Sequence, residues 1–450
     1  MEGSAPKLPR PRALAGWGRY PIIEGREYEG EELEPLAAGA VLSRGLGRSY
    51  GDASLPPDGG HTVLGTTRAD RLLAFEPETG RLRAEAGLSL LELNRIFLPR
   101  GYFPPVTPGT QYVTLGGMVA ADVHGKNHHV AGCFGEYVEA LRMCVADGRV
   151  LEVSEESEPE LFRATLGGMG LTGHILEVQF RMQQIPSPWI WAESERVPSL
   201  DRLVVALRTA SQTWPFTVAW VDCLNRGRGI APGIVHRGRW AEPSEEPRRP
   251  PRAKRRIAVP FVLPSWVMSR WLARAGNALI FRKHGGRVKR GIVHPETFFY
   301  PLDTVLHWNR VYGRRGFTQY QCVLPVSQDG SSYRRFFELF RREGGTSFLC
   351  VIKDCGPEGK GMLSFPRPGI SIALDMPIRS PHTSELIEVL NELVIELGGR
   401  IYLAKDAFTS AAHYRAMDPR LPAWNEVRRK WDPEGRLRSA QSVRVLGDRP

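Results

Sequence analysis

TPGTQYVTLGGMVAADVHGKNHH, Thr107 to His129, packs glycines, small residues and three histidines into a segment that reads as loop, helix start and loop. A stretch of this kind serves backbone contact with a ligand. Upstream, SRGLGRSYGD, Ser43 to Asp52, has the same character. Two loops rich in glycine and hydroxyl groups leave backbone N–H groups free to wrap a diphosphate, so a nucleotide cofactor is the first expectation.

The rest of the chain sets limits on that expectation. With 450 residues it is too long for one hydrophobic core, which predicts two domains or one domain interrupted by another. Hydrophobic residues at 42% and charged residues at 24% are ordinary for a globular enzyme. The six cysteines are scattered without CxxC spacing, which predicts reduced thiols rather than a zinc or redox site. The N-terminus has no apolar signal core, and no apolar run is long enough to span a membrane. These features place the expected location on the cytoplasmic side, with peripheral contact to the inner face of the membrane as an option.

The net charge of +11 is concentrated. From Arg248 to Pro295 there is no Asp or Glu, while thirteen Arg and Lys residues share the interval with Phe261, Trp266, Trp271 and Phe281. Such a mixture suits an anionic membrane surface, at about 1 kcal/mol per basic residue near it. A solvated insertion competes at even odds, and nucleic acid ranks below both because no recognised binding module accompanies the patch.

Local patterns alternate strands and helices in the first part. Arg81 to Ala86 reads as a strand, followed by a helix opened by Ser89 and Glu92 in S-x-x-E spacing and ending near Gly101. Asp147-Gly148 between two apolar runs predicts a hairpin over 140–153. Glu158 to Thr165 reads as helix and His174 to Met182 as strand. Pro186 and Pro188 mark a boundary, beyond which an α+β segment follows with strands at FTVAWVDCL and FTQYQCVLP and helices at Tyr333 to Arg342 and Ser384 to Leu397. Gly168, Gly170 and Gly173 spell GxGxxG, but after a helix and before a strand. The dinucleotide fingerprint needs the reverse order, so these glycines are assigned to tight turns.

RGLGRSYGD, GTQYVTLGG, DVHGKNHH, ADG, LFRATLGGMGLTG, HWNRVYG, QYQ, LSFP and GGRIYLAKD occur in this order along the chain. Together they resemble the decaprenylphosphoryl-β-D-ribose 2'-oxidase family, flavoenzymes of the vanillyl-alcohol oxidase type with a PCMH-type FAD domain. The resemblance implies an α+β fold in which residues 1–187 and 400–450 form the FAD-binding domain and 188–399 the substrate-binding domain, with an antiparallel sheet and the basic insertion at about 248–295. It also implies oxidation of the 2'-hydroxyl of a polyprenyl-phosphate pentose, the first half of a ribose-to-arabinose epimerisation for cell-wall arabinose. An NADH-dependent short-chain reductase would be the partner. The second reading is a sugar-lactone or alditol oxidase of the same flavin fold acting on a soluble sugar, and a remote third is a flavin-free basic scaffold.

By the same resemblance FAD is lined by Ser43, Arg44, Gly45, Leu46, Gly47, Arg48, Ser49, Tyr50, Gly51, Asp52 and Ala53, by Gly109, by Thr114, Leu115, Gly116 and Gly117, by Ala121, Asp122, Val123 and His124, and by Ile175 and Tyr402. Arg48 stands where many relatives carry a flavin-tethering histidine, which implies noncovalent FAD. Lys405, Tyr50, His124 and Gln321 are the catalytic candidates; Lys126, Tyr312, Gln319, Gln321, Lys353 and Ser371 are the substrate-binding ones. Lys405 suits either a base or a cation beside the flavin, against a plain surface pair with Asp406. Gln319 and Gln321, two apart on a strand, share a face and suit sugar hydroxyls, against an ordinary polar outer face. The three histidines lack a carboxylate or cysteine to complete a metal set, so no metal is expected. Where the actinobacterial oxidases read NICVDFP, this chain has SIALDMP, Ser371 to Pro377, which removes an amide and a thiol from the implied pocket wall.

Overall fold

The computed structural model describes residues 10–225, 231–249, 251–286, 288–327 and 329–450. Two small sheets come from the N-terminal part. One has four strands, in the order Arg12–Ala15, Ile22–Glu29, Thr62–Gly65 and Leu42–Arg44. The other has five, in the order Leu72–Glu76, Arg81–Glu85, His174–Arg181, Val138–Cys144 and Val150–Ser154. The first mixes parallel and antiparallel pairs, whereas the second is antiparallel throughout.

Local chemistry accounts for these elements. Ser89 caps the helix Leu90–Phe97 by accepting the Glu92 N–H at 3.2 Å, and the chain leaves through Gly101 at φ +79. Gly148, at φ +90, makes the turn between Val138–Cys144 and Val150–Ser154, as the Asp-Gly pair predicts.

The C-terminal part is built on an eight-stranded antiparallel sheet. Its order is Lys289–Val293, Ile190–Val197, Gly233–Trp240, Phe216–Val221, Cys350–Cys355, Gly369–Pro377, Phe317–Leu324 and Arg400–Ile401. The strands Phe216–Val221 and Phe317–Leu324 are buried along their whole length, so both faces of the sheet are covered. Helices Leu200–Ser211, Ser331–Arg342 and His382–Glu396 press apolar sides against it, for example through Phe336, Phe337 and Phe340. The fold class is α+β, and a single apolar cluster runs from Leu82 through the large sheet to Val445. All six cysteines are buried and free.

The C-terminal return is fixed by charge as well as by packing. Arg444, on the helix Ala440–Leu446, donates to Asp52 at 2.7 Å and to Asp406 at 2.7 Å. That bridge ties the first glycine loop to the segment after Tyr402. Among the described residues, no helix is long and apolar enough to cross a membrane.

Candidate active site

The glycine loops and one face of the large sheet enclose a cavity of about 840 Å³, a size proper to a cofactor or substrate site. The loop wall is backbone-rich. Gly45, Gly47, Gly116, Gly117, Gly170 and Gly173 all line it. A Cβ on Gly45 would stand 2.3 Å from the Thr114 hydroxyl, so the two loops meet only because that position is bare. Thr114 in turn accepts the Gly117 N–H at 3.3 Å and starts the helix Leu115–Ala120. At Gly109 and Gly170 an added Cβ would meet nothing within 4 Å, so these glycines open directly on the cavity space.

Most of the residues singled out in the sequence meet here. From the first loop Ser43, Leu46, Arg48, Ser49, Tyr50 and Ala53 line the cavity; Ala121, Val123, His124, Lys126, Ile175 and Tyr402 follow from later segments. The remainder support it from behind. Arg44 donates to the Ala15 carbonyl at 2.7 Å and to Ser54, while Asp52 is held by Arg444 and Asp122 accepts the Gly135 N–H at 2.8 Å and the Ser364 hydroxyl. Leu115 is core, and Gly51 packs so closely on the Asp406 carbonyl that a Cβ would lie 2.0 Å from it. Tyr312 is also displaced from the wall: its ring stacks on Phe317 at 4.2 Å and its hydroxyl faces Asp375.

Titratable groups line both walls, Tyr50, His124 and Lys126 from the loops and Lys353 from the sheet. Period-two alternation points Gln319 and Gln321, Val351 and Lys353, and Ser371 and Ala373 into the same space. Register pairs Gln321 with Ala373, Gln319 with Asp375, and Lys353 with Ser371. Both glutamines are buried, which removes the reading of an outer polar face. Gln319 donates to the buried Asp375 carboxylate and approaches the Tyr50 hydroxyl at 3.4 Å. Gln321 donates to Ser371 Oγ at 3.1 Å and meets His124 Nε2 at 3.0 Å. Burial and the neighbouring cations hold the His124 pKa well below the usual imidazole range, so its Nε2 accepts from Gln321 and the proton sits on Nδ1, which is buried without a partner.

Lys405 lies on this side, its Nζ 4.0 Å from the centre of the Tyr50 ring. Asp406 is engaged by Arg444 rather than by Lys405, so the surface-pair reading fails. Burial pulls the Lys405 pKa down to about 7, against the attraction of Asp375, and pushes Asp375 up to about 7. Burial also lowers Lys126 to about 7 and Lys353 to about 8, and holds the Tyr50 phenol in its neutral form. Lys126 donates to the Phe298 carbonyl. The other histidines diverge from His124: His128 Nδ1 accepts the Gly356 N–H at 3.0 Å and His129 faces the Trp214 carbonyl at 2.9 Å.

Sequence reasoning missed several wall residues. Gly170 and Gly173, assigned only to turns, line the cavity, as do Met169, Trp17 and Tyr112. The Trp17 and Tyr112 rings sandwich Arg48, at 4.1 and 5.0 Å from its guanidinium carbon. Asp375 was also missed. Its signal is weak in sequence, because a lone acid in an apolar strand gains meaning only from the register that sets it opposite Gln319.

Comparison with known proteins bears on this arrangement. Residues 37–154 match the FAD binding domain family. The chain is 34% identical over 452 residues to the decaprenylphosphoryl-β-D-ribose oxidase of Mycolicibacterium smegmatis, covering 96% of this chain and 97% of that one. It is 32% identical to an uncharacterised protein of Streptomyces coelicolor, over 77% of this chain and 96% of the relative. Similarity to a D-arabinono-1,4-lactone oxidase of Yarrowia lipolytica is 26% and reaches only 34% of this chain and 31% of that enzyme. The backbone cradle, the bare glycines and the unpartnered His124 Nδ1 fit an FAD.

Proposed function

Since the chain belongs to the decaprenylphosphoryl-β-D-ribose oxidase family, we propose that it oxidises the 2'-hydroxyl of a polyprenyl-phosphate pentose to the 2'-keto sugar. It is an oxidoreductase with FAD as cofactor. The observation that supports the reaction best is the sheet wall: Lys405 and two buried glutamines line the cavity opposite the glycine loops, with the Asp375 carboxylate behind Gln319, and burial poises the lysine and the carboxyl near pH 7. Bound FAD supplies a hydride acceptor for the carbon being oxidised.

The protein's own groups account for the rest. Lys405, neutral in a large fraction near pH 7, takes the hydroxyl proton as the C–H bond breaks, and Asp375 holds the resulting ammonium. Gln321 and Ser371 offer hydrogen bonds to sugar hydroxyls, and Gln321 keeps His124 oriented. Lys126 and Lys353, on the same cavity, supply positive charge for the substrate phosphate. Tyr50 buttresses Lys405 through its ring face. Ser43, Gly45 to Tyr50, Ala53, Gly109, Thr114, Gly116, Gly117, Ala121, Val123, His124, Ile175 and Tyr402 form the FAD side of the site, with Arg44, Gly51, Asp52, Leu115 and Asp122 supporting it from behind. With Arg48 packed between aromatic rings where a tethering histidine would stand, the FAD is noncovalent.

The division of labour follows: 1–187 with 400–450 binds flavin, and 188–399 binds substrate. The enzyme works as a peripheral protein at the inner membrane face, its keto product passing to an NADH-dependent reductase in the building of cell-wall arabinose. A substrate deuterated at C2' tests the regiochemistry. Flavin bleaching slowed by that label, and unaffected by deuterium at C3', supports the reading; the reverse pattern removes it.

A further inference from the structure

Within the acid-free interval, residues 251–286 fold into a strap and a helix beside the cavity mouth. The helix Arg270–His284 is anchored along one edge, where Asn277 donates to Asp222 at 3.2 Å and His284 meets Ser194 Oγ at 2.9 Å. Its opposite edge shows Trp271 at 80% exposure and Leu279 at 65%, followed by exposed Arg282 and Lys283. The preceding strap adds Trp266 at 67%, Phe261 at 63% and Ile257 at 68%. Bulky apolar side chains gathered in water at this density, rimmed by charge of one sign, mark a binding surface.

The same elements border the cavity where it opens to solvent, since Val305 and Ile280 both line it and are exposed. Ile257–Ala258 pairs with Val305–Leu306, and Arg310 donates to the Val259 and Pro260 carbonyls. Val305, Leu306 and Trp308 line the cavity, and so does Ile280 from the helix itself. One helix therefore shows Ile280 to the cavity while Trp271 and Leu279 face solvent.

Charge decides among the occupants. Arg248, Arg249, Arg252, Lys254 and Arg255 are exposed, and among the described residues none of them forms an ion pair. Aliphatic Ile257 and Leu279 have no use against nucleic-acid phosphates, and a second copy of this face would bring like charges together. Tryptophans flanked by leucine and arginine suit the headgroup boundary of a bilayer.

We propose that the strap and the helix Arg270–His284 seat on an anionic lipid bilayer with the cavity mouth against it, so that a lipid-linked substrate slides its sugar head inward past Ile280 and Leu306 while its chain stays in the membrane. Docking stands on the surface alone; only the route of the substrate rests on the function proposed above.

The test uses the full FAD-loaded chain and the double variant Trp271→Glu/Leu279→Glu. Both positions are exposed, and an unchanged flavin spectrum reports an intact fold. Without substrate, flotation with phosphatidylcholine vesicles is compared with flotation after phosphatidylglycerol is added. The expected result is binding to the anionic vesicles only, weakened by salt, and about ten-fold or more weaker in the variant. Wild-type protein that ignores anionic vesicles, a variant that binds as well as wild type, or a concentration-dependent dimer abolished by the variant in place of vesicle binding would each overturn docking. Substrate route is read separately: the variant is expected to slow flavin reduction by vesicle-borne polyprenyl-phospho-ribose and to leave reduction by a short-chain soluble analogue unchanged. Equal rates on both substrates overturn the route, whereas wild-type flavin inert to both would count against the substrate reading and leave the vesicle result standing.

Discussion

The two walls of the cavity work by different means. The loop wall offers bare backbone: its key positions are glycines, and at Gly109 and Gly170 no protein atom stands within 4 Å of where a Cβ would be. The sheet wall offers side chains: Gln319, Gln321, Lys353 and Ser371 project from adjacent strands, with Asp375 beneath and Lys405 at the margin. A backbone wall binds without titrating, whereas a side-chain wall can move a proton but must desolvate its charges to do so. Cofactor retention and chemistry are therefore separable by mutation.

The largest effect should come from the sheet wall. Lys405→Ala is expected to keep FAD bound and slow flavin reduction by substrate about a hundred- to ten-thousand-fold, the range of a lost general base, as read by anaerobic rapid mixing. Loss of FAD together with activity would erase the distinction between the walls. Next is the tie between them. Arg444→Ala leaves Asp52 and Asp406 as buried charges without their shared partner, which should cost about 3 kcal/mol of stability in a urea titration.

Gly45→Ala attacks the loop wall. The new methyl group crowds Thr114, and overpacking of this kind costs about 1–3 kcal/mol, which should appear as weaker FAD binding with little change in the reduction rate of the enzyme that remains loaded. The pH profile sharpens the comparison further. With Lys405 and Asp375 both poised at about 7, lowering the pH protonates the amine and the carboxyl. The reduction rate should fall below pH 7 and level off above it, while FAD affinity stays flat across the same range. Smallest is Ser371→Asn, which restores the amide found in the actinobacterial oxidases; a few-fold change in KM with kcat preserved is expected, about 1 kcal/mol for one hydrogen bond.

The two walls also differ in how openly the sequence announces them. Backbone binding demands residue types, so RGLGRSYG and TLGG carry their purpose in composition and order, and Thr114 as helix cap follows from its place before Leu115. The hairpin at Asp147-Gly148 and the helix after Ser89 are legible for the same reason: each depends on neighbours in the chain. The sheet wall depends on register between strands far apart in sequence. Nothing local places Asp375 against Gln319 or buries both glutamines. Lys405 and Asp406 read locally as a pair, and only the distant Arg444 separates them. Arg44, Asp52 and Asp122 fell within the right words but turn away from the cavity, because a loop that wraps a ligand needs its other side chains to hold it to the fold.

Transfer of a hydride from a lipid-linked pentose to FAD in this cavity is read by mixing the oxidised protein anaerobically with polyprenyl-phospho-ribose and following the flavin absorbance. Rapid bleaching with one 2'-keto sugar formed per flavin is expected. A flavin band that stays oxidised at saturating substrate, in protein that retains its FAD, would contradict it.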